Sequence, residues 1–273
     1  MTTAVAQRPK VALVLGSGGA RGLAHVGVIE ELQRHGMEIA YISGCSIGAL
    51  VGGIFAAGKL DVYAKWARSL ERKDVFGLLD LSFGMQGLFK GDRIIATLRE
   101  MIGDRDIDDL DIGFTAVATD LHEQREVWLN SGPLFDAIRA SMAIPTVFTP
   151  WTYQGRVLVD GGLLNPLPIA PALNHQTDLI VAVNVNARRE HPIVPARTSD
   201  TETPGIFDVV QMSLDTMQGA IGRLKLAAYS PDLVIDIPRD ACAFYEFYRA
   251  GEMIQLGRQR AKKVLNSRTS LET

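Results

Sequence analysis

The apolar run Val11-Ala12-Leu13-Val14-Leu15 stops at Gly16, and a glycine-rich turn, Gly16-Ser17-Gly18-Gly19-Ala20-Arg21-Gly22, opens into a helical pattern. A short continuous apolar run bounded by glycine suits a strand buried on both faces, as in a parallel sheet. In the helix that follows, His25, Val28, Ile29 and Leu32 share one face at i, i+3, i+4 and i+7, and Gly36 supplies the C-cap. Glu38 to Ser43 reads as a second strand, and Gly44-Cys45-Ser46-Ile47-Gly48 follows it. Ile47 to Ala57 is apolar on every side, which predicts a fully buried helix capped by Gly58. Strand, glycine turn, helix, strand, sharp turn, buried helix is the opening of an α/β fold with a parallel sheet.

Further strands are expected at Phe114–Asp120, Val127–Leu129, Val157–Val159, Leu179–Val185 and Leu233–Ile237. Helices are expected at Pro133–Met142 with Pro133 at N1, at Phe207–Ala228 and at Glu252–Leu265. Ala187–Pro204 is polar and proline-rich and reads as an exposed loop. Residues 11–266 are expected to form one domain, with residues 1–10 and 267–273 as tails.

Composition excludes several classes. In 273 residues, 47% apolar and 22% charged side chains rule out a disordered, collagenous or coiled-coil chain. A net charge of −3 offers no basic excess for nucleic acid. Cys45 and Cys242 have neither the spacing of a zinc site nor that of a disulfide framework. The longest apolar stretch, Ile47–Ala57, is well short of the roughly 20 residues of a membrane helix. The expectation is a soluble, cytoplasmic protein.

The chemistry sits in the turns. Gly44-x-Ser46-x-Gly48 lies between a strand and a buried helix. Such an elbow strains the serine backbone and presents its hydroxyl at a helix N-terminus, where the partial positive charge favours a developing alkoxide. The Gly16–Gly22 loop has two readings. Against the first, a dinucleotide or phosphate cradle, stands the spacing: the pattern read back from Gly22 is Ser17-x-Gly19-x-x-Gly22, and the elbow stands where a ribose-binding acid would be. As an oxyanion hole, its amides would face the carbonyl attacked by Ser46, because turns after adjacent parallel strands share one sheet edge.

Leu15 to Gly22, Gly44 to Gly48 and Asp160-Gly161-Gly162 together resemble the three motifs of patatin-like phospholipases, in the order and spacing of the small bacterial members. Ala140-Ser141-Met142-Ala143-Ile144-Pro145 followed by Phe148 is also similar to that family. The resemblance is strong from Val11 to Pro168. Ser17 stands where the family's glycine motif usually begins with glycine. The resemblance implies a three-layer α/β/α fold with a mainly parallel sheet. It also implies a catalytic dyad, with Ser46 as nucleophile, Asp160 as base and the amides of Gly18, Gly19 and Ala20 as the oxyanion hole. Gly16, Gly22, Gly44, Gly48, Gly161 and Gly162 would shape the turns. The implied activity is hydrolysis of lipid acyl esters, of phospholipase A, lysophospholipase or carboxylesterase type, with no metal or organic cofactor. A carboxylate acting without imidazole needs a pKa raised by burial.

Alternatives stay open on the residues alone: an acyltransferase using the same serine, or a non-catalytic protein whose glycine loop binds a ligand. A triad is disfavoured. His25 lies on an apolar helix face, His35 at a helix end, and no histidine follows His191, whereas an α/β-hydrolase triad places its histidine late. Phe76–Phe89 reads either as core packing or as a lipid-facing lid or acyl-chain wall. Arg21 either orients the loop, forms an ion pair or meets a phosphate head group. The expected partner is a lipid or ester substrate, with transient contact at a membrane surface compatible with that substrate.

Overall fold

The computed structural model describes residues 8–78, 80, 89–190 and 205–269. The elements in chain order are β1 (Lys10–Leu15), α1 (Ala24–Arg34), β2 (Glu38–Cys45), α2 (Ile47–Ala56), α3 (Leu60–Ser69), α4 (Arg72–Gly77) and α5 (Asp92–Ile102). They continue with β3 (Gly113–Asp120), β4 (Arg125–Leu129), α6 (Leu134–Ser141), β5 (Trp151–Tyr153), β6 (Arg156–Asp160), β7 (Leu179–Ala187), α7 (Ile206–Tyr229), β8 (Leu233–Pro238) and α8 (Ala250–Thr269).

The sheet order is β5-β6-β3-β2-β1-β7-β8, with β4 beside β3. The run β3-β2-β1-β7-β8 is parallel throughout; β4, β5 and β6 add antiparallel pairings. β1 is central, and Val11 to Leu15 are wholly buried. Its side chains alternate between two layers. Val11, Leu13 and Leu15 join the main core with α1, α2 and α8. Ala12 and Val14 face a thinner layer formed by Leu167, Ile169 and Ala172, with Leu226 and Tyr229 of α7. This is the three-layer α/β/α arrangement, one layer much deeper than the other.

The register at β3 positions the site. β2 runs parallel along Gly113–Val117 and ends with Cys45 opposite Val117. β6 takes over antiparallel, with Asp160 opposite Ala118. β4 pairs with residues 116–120, overlapping both, so β2 and β6 must share the other edge of β3. Their C-terminal ends therefore meet head to head, and the residues that follow, Ser46 and Gly161, leave the sheet at one point.

One helix start differs from expectation. Pro133 is at the N-cap rather than N1, and its carbonyl accepts from the Asp136 and Ala137 amides. Residues 81–88, the middle of the Phe76–Phe89 segment, lie outside the described residues, as do residues 191–204 of the proline-rich loop.

Candidate active site

Ser46 sits at the elbow between β2 and α2 with φ 56° and ψ −123°. Such a conformation costs a non-glycine residue about 1–3 kcal/mol and persists only when its surroundings fix it. They do. The Ser46 amide donates to Ser141 Oγ (2.8 Å), whose hydroxyl donates to the Val117 carbonyl (2.6 Å). The Ser46 carbonyl accepts the first helical bond of α2, from Leu50 (3.0 Å). Gly48 is required by close approach: a Cβ there would lie 2.1 Å from the Leu15 carbonyl oxygen. The elbow thus presses backbone to backbone against the end of β1.

Asp160 ends β6 and is 3% exposed. Its Oδ1 accepts from the Gly162 amide (2.7 Å) and from Cys45 Sγ (3.7 Å). Its Oδ2 has no partner of good hydrogen-bond geometry. The Ser46 side chain is nevertheless close enough to lower the carboxyl's pKa. Burial outweighs these donors and pushes that pKa up to about 6. The same burial, reinforced by the Asp160 carboxylate, holds the Cys45 thiol well above its usual value, so Cys45 is a neutral donor.

The glycine loop faces this pair. Gly18, Gly19 and Ser46 all line cavities at the site. Gly19 adopts φ +58°, and a Cβ there would strike the Phe244 ring at 2.4 Å. The loop runs into a short 3-10 turn from Gly19 to Leu23, whose first N–H groups find no partner within the turn. Ala20 departs from the expectation: its amide donates to the Phe244 carbonyl (2.9 Å) and is already engaged. Arg21 orients the loop, donating to the Arg239 carbonyl (3.0 Å) and to Asn186 Oδ1 (2.8 Å), while Asn186 donates back to the Ser17 carbonyl (2.8 Å). Phe244, Asn186 and Arg239 carry no motif, and nothing in the sequence singles them out.

His25 and His35 are both engaged elsewhere. His25 is fully buried, its Nε2 bonds the Gly16 carbonyl (2.9 Å), and burial lowers its pKa to about 4. It is a core histidine that braces the loop. His35 bonds the Glu31 carbonyl at the end of α1. Among the described residues no cluster of histidine, cysteine and carboxylate side chains could hold a metal ion.

Ser46 opens into a cavity of about 690 Å³. Its apolar walls come from α3, α4 and α5 and the turn after α6, including Tyr63, Trp66, Leu70, Leu98, Met142 and Phe148, with further, partly charged lining from α7 and residues 239–249. Leu78 and Phe89, the described ends of the segment singled out in the sequence, line it too. A second space of about 20 Å³, room for about one water, lies between Ser46, Asp160 and Gln218 of α7.

The description "Patatin-like phospholipase" matches residues 13–173. An uncharacterized NTE family protein of Mycobacterium tuberculosis is 37% identical, covering 95% of this chain and 92% of the relative. Lysophospholipase NTE1 of Debaryomyces hansenii is 28% identical over 93% of this chain and 18% of its own length. Among solved structures, VipD from Legionella pneumophila aligns with 95% of this chain and 67% of its own, at 13% identity and a TM-score of 0.47.

Proposed function

The chain belongs to the patatin-like phospholipase family and is a hydrolase of lipid esters, and from that premise we propose that Ser46 and Asp160 carry the reaction as a dyad. The observation that supports this most is the meeting of two strand ends. It puts a strained, helix-capping serine beside a buried carboxylate with one unengaged oxygen. Ser46 Oγ attacks the acyl carbonyl and its proton passes to Asp160 Oδ2. The amides of Gly18 and Gly19 receive the oxyanion, and the α2 N-terminus adds its positive end. The alcohol leaves with the proton from Asp160, and an acyl-Ser46 ester remains. A water in the small space beside Asp160 gives its proton to the carboxylate as it attacks the acyl carbon; that proton then passes to Ser46 Oγ as the acyl–Oγ bond breaks, and the free carboxylic acid leaves.

The substrate reading is an acyl ester with one aliphatic chain in the large cavity, of the lysophospholipid or phospholipid class. The apolar walls favour a hydrocarbon tail over a polar acyl group. The relative named as a lysophospholipase points the same way. Water as acceptor distinguishes this from acyl transfer to an added alcohol.

Fluorophosphonate labelling located by peptide mass spectrometry tests the dyad. The adduct is expected on Ser46, absent in Ser46→Ala and slowed at least about a hundredfold in Asp160→Asn. An adduct on another residue, or undiminished labelling of Asp160→Asn, would overturn it.

A further inference from the structure

α7 lies after the residues that match the family, yet one of its faces reaches the reacting groups. Gln211, Asp215 and Gln218 lie at i, i+4 and i+7 and so share that face. All three line the small space beside Ser46 and Asp160. Gln211 donates from Nε2 to Asp215 Oδ1 (3.3 Å), so those two side chains engage each other. Gln218 turns to the dyad instead. Its Nε2 lies 2.9 Å from the point where a Cβ on Gly162 would stand, and Asp160 Oδ1 and Ser17 Oγ lie 2.9 Å and 2.8 Å from the same point. Three polar atoms therefore converge on the bare face of Gly162, each close enough to the next for one water to bridge. The other carboxylate oxygen of Asp160, Oδ2, is buried and unpartnered. The space has room for about one water, and Leu163, Leu214 and Phe244 give it an apolar lining on other sides.

We propose that Gln218 is a further catalytic residue, whose side-chain amide holds the hydrolytic water against Asp160 for release of the acyl group. This role rests on the acyl-enzyme reading above. A water confined to so small a space is fixed only by two or more polar partners. One of its O–H groups donates to Asp160 Oδ2 and the other to the oxygen of the Gln218 amide, which leaves a lone pair of the water for the acyl carbon. As the new C–O bond forms, the first proton passes to Asp160; it then moves to Ser46 Oγ as the acyl–Oγ bond breaks. Gln218 gains and loses no proton. A neutral amide suits this place, because a second carboxylate would compete for the proton and disfavour the ionised form of Asp160. Attack by Ser46 needs no water, so Gln218 acts on the second half of the reaction and not on the first.

The test reads the two halves separately on the full chain. A nitrophenyl carbamate transfers its carbamyl group to Ser46. Mass spectrometry follows the attachment and, once excess reagent is removed, the hydrolytic loss. Gln218→Ala should be carbamylated within about twofold of the wild-type rate, which also shows that the elbow and the fold are intact. It should lose the group at least about tenfold more slowly, because delivery of water to the base is what the change removes. Gln218→Leu keeps the bulk and deletes the polar atoms, and should behave in the same way. Loss of the carbamyl group at the wild-type rate in both variants overturns the proposal. So does an equal slowing of attachment and loss, since Gln218 would then only support the elbow. Absence of any adduct on Ser46 of the wild type overturns the dyad reading and this role with it, whereas an adduct released without regard to Gln218 overturns this role alone.

Discussion

Asp160 is held by one oxygen and open at the other, and that asymmetry has measurable consequences. Oδ1 is fixed by Gly162 and Cys45, so the carboxyl cannot rotate freely to offer Oδ2 elsewhere. As a base it must be ionised, so kcat/KM on a soluble ester should fall on the acid side with a midpoint near 6. The same shift carries a stability cost. The folded carboxyl holds its proton to about 6, against 3.8 when unperturbed. Its contribution to stability is complete below the lower value and is lost as pH rises through the upper one, a span worth about 3 kcal/mol at most. Asp160→Asn should therefore gain stability relative to wild type between about pH 4 and 8. Urea midpoints at the two ends of that range check it; a constant difference would refute the shift. Ser141 is a second case of one residue fixing another. Ser141→Ala leaves the Ser46 amide and the Val117 carbonyl without their partner, for a loss of about 1–3 kcal/mol in urea unfolding. A slackened elbow should lower kcat about tenfold with little change in KM.

At the scale of elements, backbone proximity matters more than apolar area. α1 and α8 pack through two glycines: a Cβ at Gly27 would lie 1.9 Å from the Ile254 carbonyl oxygen, and one at Gly257 would lie 2.0 Å from that of Ala24. Gly27→Ala and Gly257→Ala should each destabilise by at least about 1–3 kcal/mol, read from urea midpoints, although neither touches the site. The elements around the two elbows were legible because periodicity and glycine act locally. Val11–Leu15 suits a buried strand and Ile47–Ala57 a buried helix, and β1 and α2 form there. β5, three residues long, has no such pattern, and its pairing with β6 is a tertiary matter. α3 and α5 do carry the signal, with Leu60, Tyr63, Ala64 and Ala67 on one face and Ile95, Leu98 and Ile102 on another, all buried. Their role as walls of the cavity is invisible in one dimension. The amide of Ala20 shows the limit more sharply. A glycine-rich motif says that donors are present; only Phe244, more than two hundred residues away, decides which of them is engaged.

For the molecule as a whole, the cavity is the sum of distant segments, and its length should set substrate preference. Leu70 lines it from the end of α3 and is partly exposed, so a larger side chain can be accommodated there without rebuilding the core. Leu70→Trp should cut kcat/KM for long-chain esters about tenfold relative to short-chain ones, measured across a chain-length series. Equal loss at every length would mean that the tail lies elsewhere. Among the described residues no helix is long and apolar enough to cross a membrane.

The loop that faces Ser46 is tied down by Asn186, Arg239 and Phe244, while every recognisable motif lies before residue 173. A stretch ending there would keep the serine, the aspartate and all the motif glycines. It would also leave β1 without β7 beside it and α1 without α8. The motif-bearing stretch is therefore not a portable cassette. Recombination that moved it into a new protein would carry the reagents but not their anchorage, and any new host would have to supply its own strand beside β1 and its own clamp on the glycine loop.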